Sequence, residues 1–309
     1  MIFTIKTTRG SANKQILDIC KDISRLSPTN HRLLFDLTQY GETTPFSNLV
    51  LINSLRRYRV MHPELEIKCR PKDFDGYLSH IGFYRTMNIP IGKEPGEARA
   101  NPNYVPITKL DFKPSFYYDI DKLCESLAAT IKFDSNLQKR LTYIFQETIR
   151  NAYEHAETNN VLVAAQNWPK LNLVEIAIAD TGCGVATSLK RRFAKDDLGL
   201  LKYSLRPGIS AQSNYSYLEP HDPWRNSGYG LYMIKELALA YKGSFLICSG
   251  GYAIRYSMAE GEIAKEEVFV TDYTGTALGI HFKTNERGDF KTLLDEIRIK
   301  GELLAAQTE

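Results

Sequence analysis

Residues 176–185 read Ile-Ala-Ile-Ala-Asp180-Thr-Gly182-Cys-Gly184-Val, an apolar strand ending in a carboxylate and two glycines. Upstream, IFQETIRNAYEHAE (144–157) carries Glu147, Asn151 and His155 at i, i+4 and i+8. That spacing lines one face of a helix expected over residues 137–156. Downstream, NSGYGLYMIKEL (226–237) sets Gly228-x-Gly230-Leu231 ahead of a helix expected over 232–242. A buried face holding Glu and Asn costs free energy without partners. Asn151 offers an amide oxygen, which suits Mg²⁺, and Glu147 suits orienting or deprotonating a water. Asp180, at a strand end, can accept from an exocyclic amine such as that of adenine, and the glycines let backbone approach a flat ring. Glycines before a helix N-terminus can cradle phosphate. Each motif alone also fits plain structure: a solvated helix face, a turn or a glycine cap. In this order they predict a nucleotide site made from one helix and two glycine turns.

The surrounding segments fit that site. Strands are expected over 161–165 and 174–178, a hairpin over 244–248 and 253–258, and a final strand over 276–282. Residues 185–227 show little apolar periodicity and contain Pro207, Gly208, Pro220 and Pro223. A loop of that length inside a compact domain is usually functional, and a lid over a ligand is the expectation.

Composition narrows the class. The 309 residues carry 39 Lys and Arg against 36 Asp and Glu, a net charge of +3, with 43% hydrophobic residues. That balance carries no global signature for nucleic acid or an anionic membrane. The basic runs Arg56-Arg57-Tyr58-Arg59 and Lys190-Arg191-Arg192 read as solvated faces. Cys20, Cys69, Cys124, Cys183 and Cys248 lie 49 or more positions apart, without metal-ligand spacing. They predict a reduced, cytoplasmic protein. Residues 1–6 read as a first strand rather than a signal peptide, and no apolar run reaches the roughly 20 residues of a membrane span.

The chain is expected to divide near the breaker-rich stretch 90–103, into residues 1–95, a linker over 96–115, and residues 116–309. Before the break, strands and helices alternate. Residues 2–7, 32–37 and 65–69 read as strands. The repeats Ile16, Leu17, Ile19, Cys20, Ile23 and Phe46, Leu49, Val50, Ile52, Leu55 read as helices, and 74–87 presents a further apolar face. This predicts a small α/β domain with a covered sheet.

Two resemblances follow from these motifs. Residues 116–285 resemble the histidine-kinase-like, or Bergerat-fold, ATPase domain shared by DNA gyrase, heat-shock chaperones, mismatch-repair ATPases and sensor kinases. QETIRNAYEHA is similar to its asparagine motif, DTGCG and GYGLYMIKEL to its two glycine motifs, LLKYSLRPGIS to its lid and GTALGIHF to its closing strand. Residues 1–95 resemble the STAS-like domains of bacterial signalling proteins, on LLFDL, FSNLVLINSLRRYR and HIGFYRTMNIP. The expected fold class is α/β: a STAS-like domain followed by a two-layer α/β sandwich of the Bergerat type.

The ATPase resemblance implies ATP and Mg²⁺ as cofactors. It implies Asp180 on the adenine amino group, Thr276 supporting the adenine end and Asn151 on Mg²⁺. It also implies Gly182, Gly184, Gly228 and Gly230 around the nucleotide, with Leu231 completing the second glycine motif. Glu147 stands where hydrolases of the family carry a general base, and kinase branches can carry Glu there too. His155 and Cys183 read as packing residues. The sequence departs from the family in three places. Neither an upstream phosphoacceptor-histidine helix pair nor a transducer domain after 285 to donate a lysine is expected from these residues, and no basic residue directly follows Ser210. Three functions stay open: a slow ATPase gating a partner in signalling, stress or defence; a Ser/Thr kinase of the anti-sigma type acting on a STAS partner; and a nucleotide-binding module. The partners implied are a protein engaged through the STAS-like domain or the lid, and a second copy of the chain. In phosphorylated STAS members the acceptor sits where Thr44 and Ser47 lie here, where either residue also serves as a helix cap.

Overall fold

Helix α2 (Pro45–Met61) is buried all round over its first half, where Phe46, Leu49, Val50, Leu51 and Ile52 are fully buried, while Arg57, Val60 and Met61 near its C-terminal end are exposed. A helix apolar all round lies inside a structure, and each such side chain is worth about 1.5–3 kcal/mol against exposure. Two sheets cover it. The computed structural model describes residues 1–8, 10–28, 31–94, 97, 103–110, 116–131, 142, 146, 148–149, 160–210, 228–258, 264–284 and 290–306.

On one side lies a three-stranded parallel sheet of β1 (Ile2–Thr4), β2 (Arg32–Asp36) and β3 (Glu66–Arg70), in that order. Helix α1 (Ala12–Ser24) connects β1 to β2, and α2 connects β2 to β3. Two crossovers stepping the same way put both helices on one face. The other face therefore carries exposed residues such as Ile2, Arg32, Glu66, Lys68 and Arg70. The expected covered sheet is thus covered by helices on one face. Two short helices, α3 (Tyr77–His80) and α4 (Phe83–Thr86), replace the single apolar stretch read at 74–87, broken at Gly82.

On the other side of α1 and α2 lies a seven-stranded antiparallel sheet. Its strands are β4 (Tyr104–Leu110), β5 (Val161–Trp168), β6 (Leu173–Asp180), β7 (Ser244–Ser249), β8 (Tyr252–Met258), β9 (Ala264–Val270) and β10 (Thr276–Lys283), in the order β4-β5-β6-β10-β7-β8-β9. Strand β4 falls inside the expected linker. It is an edge strand with an irregularity between Val105 and Thr108, which accommodates Pro106. At the irregularity Ile107 N–H donates instead to the Ile81 carbonyl at 3.0 Å.

Side chains alternate across this sheet. Val161, Val163, Ile176, Ile178, Leu278 and Ile280 face a helical layer, packing with α5 (Phe116–Ile131), α8 (Gly230–Ala240) and α9 (Phe290–Ala306). Leu162, Ala164, Ala177, Ala179 and Ala277 face α2. Small residues on that face let the helix approach closely: a Cβ at Gly279 would stand 3.0 Å from the Phe46 ring. Residues 1–95 therefore share one core with the large sheet, and that sheet has helices on both faces rather than the single helical layer of a two-layer sandwich. Between β6 and β7, residues 185–210 form α6 (Val185–Lys190) and α7 (Asp197–Tyr203), whose Ala186, Leu189, Leu200 and Leu201 are buried. The first part of the expected lid is thus ordered helix. Among the described residues no helix is long and apolar enough to cross a membrane.

Candidate functional site

Asp180 is the last residue of β6 and is 1% exposed. Its Oδ1 accepts from the Gly182 N–H at 2.8 Å and the Thr276 N–H at 3.1 Å. No described residue donates to Oδ2. Burial pushes the carboxyl up to about 7, against the lowering by those two N–H groups. A carboxylate fixed through one oxygen, with no donor on the second among the described residues, can accept from a ligand N–H.

Gly275 makes this geometry. Its φ is +96°, and a Cβ there would stand 2.3 Å from the Asp180 carbonyl oxygen and 2.9 Å from Oδ1. Only a residue without a side chain lets β10 begin that close to β6. One step further on, the Thr276 hydroxyl accepts from the Val185 N–H at 3.2 Å, and Ser249 Oγ accepts from the same N–H at 3.0 Å. Ser249 also donates to the Gly275 carbonyl at 2.9 Å. The turn after Asp180, the end of β7 and the start of β10 are therefore one hydrogen-bonded unit, from which Gly184 starts α6.

The second glycine motif sits beside the expected lid. Gly228 has φ +73°, and a Cβ there would meet the backbone of Gly208 and Ile209 at 2.7 Å. Ile209 packs on Ala186, Leu189 and Leu200 of α6 and α7. The two glycine motifs are thus linked through residues 185–210. Gly230 is buried as the first residue of α8, and Leu231 packs against the helical-layer core. Among the predicted residues, Asp180, Gly182, Gly184 and Thr276 converge directly, and Gly228, Gly230 and Leu231 join them through that segment.

Glu147, Asn151 and His155 lie outside the described residues. Their neighbours Thr148 and Ile149 are helical and buried, with Ile149 in the core against the large sheet. Among the described residues no group of three or more His, Cys, Asp or Glu side chains is placed to hold a metal.

Two residues join the site that their sequence context did not single out. Tyr273, 3% exposed, donates its hydroxyl to the Asp180 main-chain oxygen at 2.7 Å. Asn53 of α2, 2% exposed, donates to the Tyr273 hydroxyl at 2.9 Å and to the Asp180 carbonyl at 3.5 Å. A polar residue inside the apolar run LVLINSL was the available signal for Asn53. Beside them a cavity of about 420 Å³ opens between α1, α2 and the DTGCG turn, lined by Ser24, Asn53, Arg57, Thr181, Cys183 and Gly275 among others.

Thr44 and Ser47 form a reciprocal cap on α2. Thr44 Oγ1 accepts from the Ser47 N–H at 3.1 Å, and Ser47 Oγ accepts from the Thr44 N–H at 2.9 Å. Ser47 is fully buried. A comparison with protein-family models finds no match, and a search among curated proteins finds no relative.

Proposed function

We propose that this chain binds ATP with the adenine amino group on Asp180, hydrolyses it slowly, and uses its nucleotide state to gate a protein partner. The observation that supports the reading is the Asp180 carboxylate. It is buried, held by two backbone N–H groups through Oδ1, and has no described donor on Oδ2. An exocyclic amine is the donor that completes it, and the glycine turn after Asp180 would let backbone approach a flat base.

The rest of the assignment follows the motif order. Gly228, just ahead of α8, and Gly230, its first residue, would face the phosphates with backbone N–H groups. Asn151 would hold Mg²⁺, which when bound neutralises phosphate charge. Glu147, one turn earlier, would orient or deprotonate the attacking water. Both residues lie outside the described part of the chain and rest on the sequence. Residues 185–227 would close over the nucleotide, and the N-terminal α/β unit or this lid would meet the partner. Ser47 is a poor phosphate acceptor, because it is buried and committed to capping α2. That favours hydrolysis over self-phosphorylation at this place.

The deciding experiment incubates the full chain with γ-labelled ATP and Mg²⁺ and separates free phosphate from phosphoprotein. Slow release of free phosphate that disappears in Glu147→Ala, with ATP binding retained, is the expected result. Label on Ser or Thr of this chain or of a STAS-domain protein, without free phosphate, would replace hydrolysis by kinase activity.

A further inference from the structure

The segment that delivers the Thr276 N–H to Asp180 is held from the N-terminal unit at three consecutive residues. Thr271 donates its hydroxyl to the Leu17 carbonyl of α1 at 3.1 Å. Ser24, at the end of α1, donates to Asp272 Oδ2 at 2.7 Å. Tyr273 accepts from Asn53 of α2 and passes its own hydrogen to the Asp180 carbonyl. Thr271, Tyr273 and Asn53 are each 3% exposed or less. Burial holds the Tyr273 phenol well above its ordinary value, so it stays a donor. Asp180 is thereby fixed on two sides. Its carboxylate is held within the large sheet, and its main-chain oxygen is held by residues answering to α1 and α2.

We infer that Asn53 and Tyr273 are positioning residues for adenine recognition, so that the N-terminal unit sets the affinity of the site for ATP. The inference rests on the reading of Asp180 as the adenine-binding residue. The physical argument is direct. The direction of a short side chain follows its own main chain, and a carboxylate in a buried site must meet its donor within a few tenths of an ångström. Releasing the Asp180 carbonyl frees the main chain to rotate and moves Oδ2 off the base. The phosphate contacts, made by other segments, do not depend on that carbonyl. Movement of α2 against the large sheet, imposed by a protein bound to the N-terminal unit, would act on the same bond.

The test is calorimetric titration of the full chain with Mg-ATP and Mg-GTP for wild type, Tyr273→Phe, Asn53→Ala, Asp180→Asn and Glu175→Gln. GTP carries a 6-oxo group that cannot donate to Asp180. Glu175 binds the N-terminus of α2 through the Phe46 N–H, far along the helix from Asp180's carbonyl, and so reports general loosening of the helix. The expected result is a five- to twentyfold loss of ATP affinity in Tyr273→Phe, unchanged GTP affinity, and no comparable loss in Glu175→Gln. Asn53→Ala should follow Tyr273→Phe; if it fails to fold, the Tyr273 variant decides alone. Wild-type ATP affinity in Tyr273→Phe, with affinity lost in Asp180→Asn, overturns this inference and leaves the Asp180 reading standing. Equal losses for ATP and GTP, or an equal loss in Glu175→Gln, overturn it as ordinary destabilisation. No ATP binding by wild type, or none lost in Asp180→Asn, removes the Asp180 reading and this inference with it.

Discussion

The main-chain N–H of Thr276 reaches Asp180 Oδ1 at 3.1 Å, so the first residue of β10 fixes the carboxylate at the end of its neighbour β6. The contact exists because Gly275 lets the chain turn against Asp180 without a side chain. The predictions below follow from this junction and from the helix packed behind it.

Binding of ATP should depend on pH through Asp180. Its folded value is raised from 3.8 to about 7 by burial. A carboxyl raised on folding favours the folded state below its unfolded value, and that contribution is lost as pH rises through 7. Ligand binding has the opposite sign, because accepting from an amine requires the ionised form. ATP affinity should therefore climb between pH 6 and pH 8, with close to one proton released per ATP bound at pH 6. Titrations at pH 6 in two buffers of different ionisation enthalpy measure that proton, and identical apparent enthalpies would refute the assignment.

Gly275→Ala should disrupt both fold and site. The added Cβ meets Asp180 main chain at 2.3 Å on a residue at φ +96°. The left-handed backbone alone costs about 1–2 kcal/mol for an alanine, and the overlap adds to it. A lower urea midpoint together with at least tenfold weaker ATP binding is expected. Wild-type stability would show that β10 does not begin against Asp180.

Glu175→Ala should destabilise strongly without touching the residues proposed to bind nucleotide. Glu175, 1% exposed, accepts from the Phe46 N–H at 2.7 Å and pairs with His281 at 2.6 Å, while His281 contacts Ser244 at 2.7 Å. Removing it strands a buried N–H and an imidazole, at about 1–3 kcal/mol for each unsatisfied group. Because α2 is covered by both sheets, the N-terminal unit should lose structure together with the large sheet. Fluorescence and circular dichroism should give one coincident urea transition, shifted to lower urea in the variant. Two separated transitions would contradict the shared core.

Ser47→Ala should cost about 0.5–2 kcal/mol, the range for losing a helix cap, and leave nucleotide turnover unchanged. Mass spectrometry of the chain after incubation with Mg-ATP should find Ser47 unmodified. Phosphate on Ser47 would require α2 to leave both sheets.

Much of the architecture was readable from the sequence, and the gaps have physical causes. Strands β5, β6 and β10 stand out because they are buried on both faces and read as nearly unbroken apolar runs. Strand β4 was hidden by Pro106 and by Asn101-Pro102-Asn103 beside it, which look like linker although an edge strand tolerates proline. Strand β9 was missed because AKEEVFV is charged. It lies at a sheet edge, where Glu266 pairs with Lys202 and Tyr256, and Glu267 lies opposite Arg255. Helices α6 and α7 are too short for a period to emerge, yet they bury four apolar side chains. At the site, Asp180 and its glycines were legible because a carboxylate and flexible turns leave a local pattern. Asn53 and Tyr273 reach Asp180 from 127 and 93 positions away, and no local pattern encodes such a contact.

The central claim is that Asp180 recognises adenine, and titration of the full chain and of Asp180→Asn with Mg-ATP and Mg-GTP tests it most directly. The account predicts that the wild type prefers ATP, and that Asp180→Asn weakens ATP by about 1–3 kcal/mol, the scale of a lost hydrogen bond to a buried charged group, while GTP changes little. Equal wild-type affinity for ATP and GTP, or an Asp180→Asn protein that binds ATP as tightly as the wild type, would contradict it.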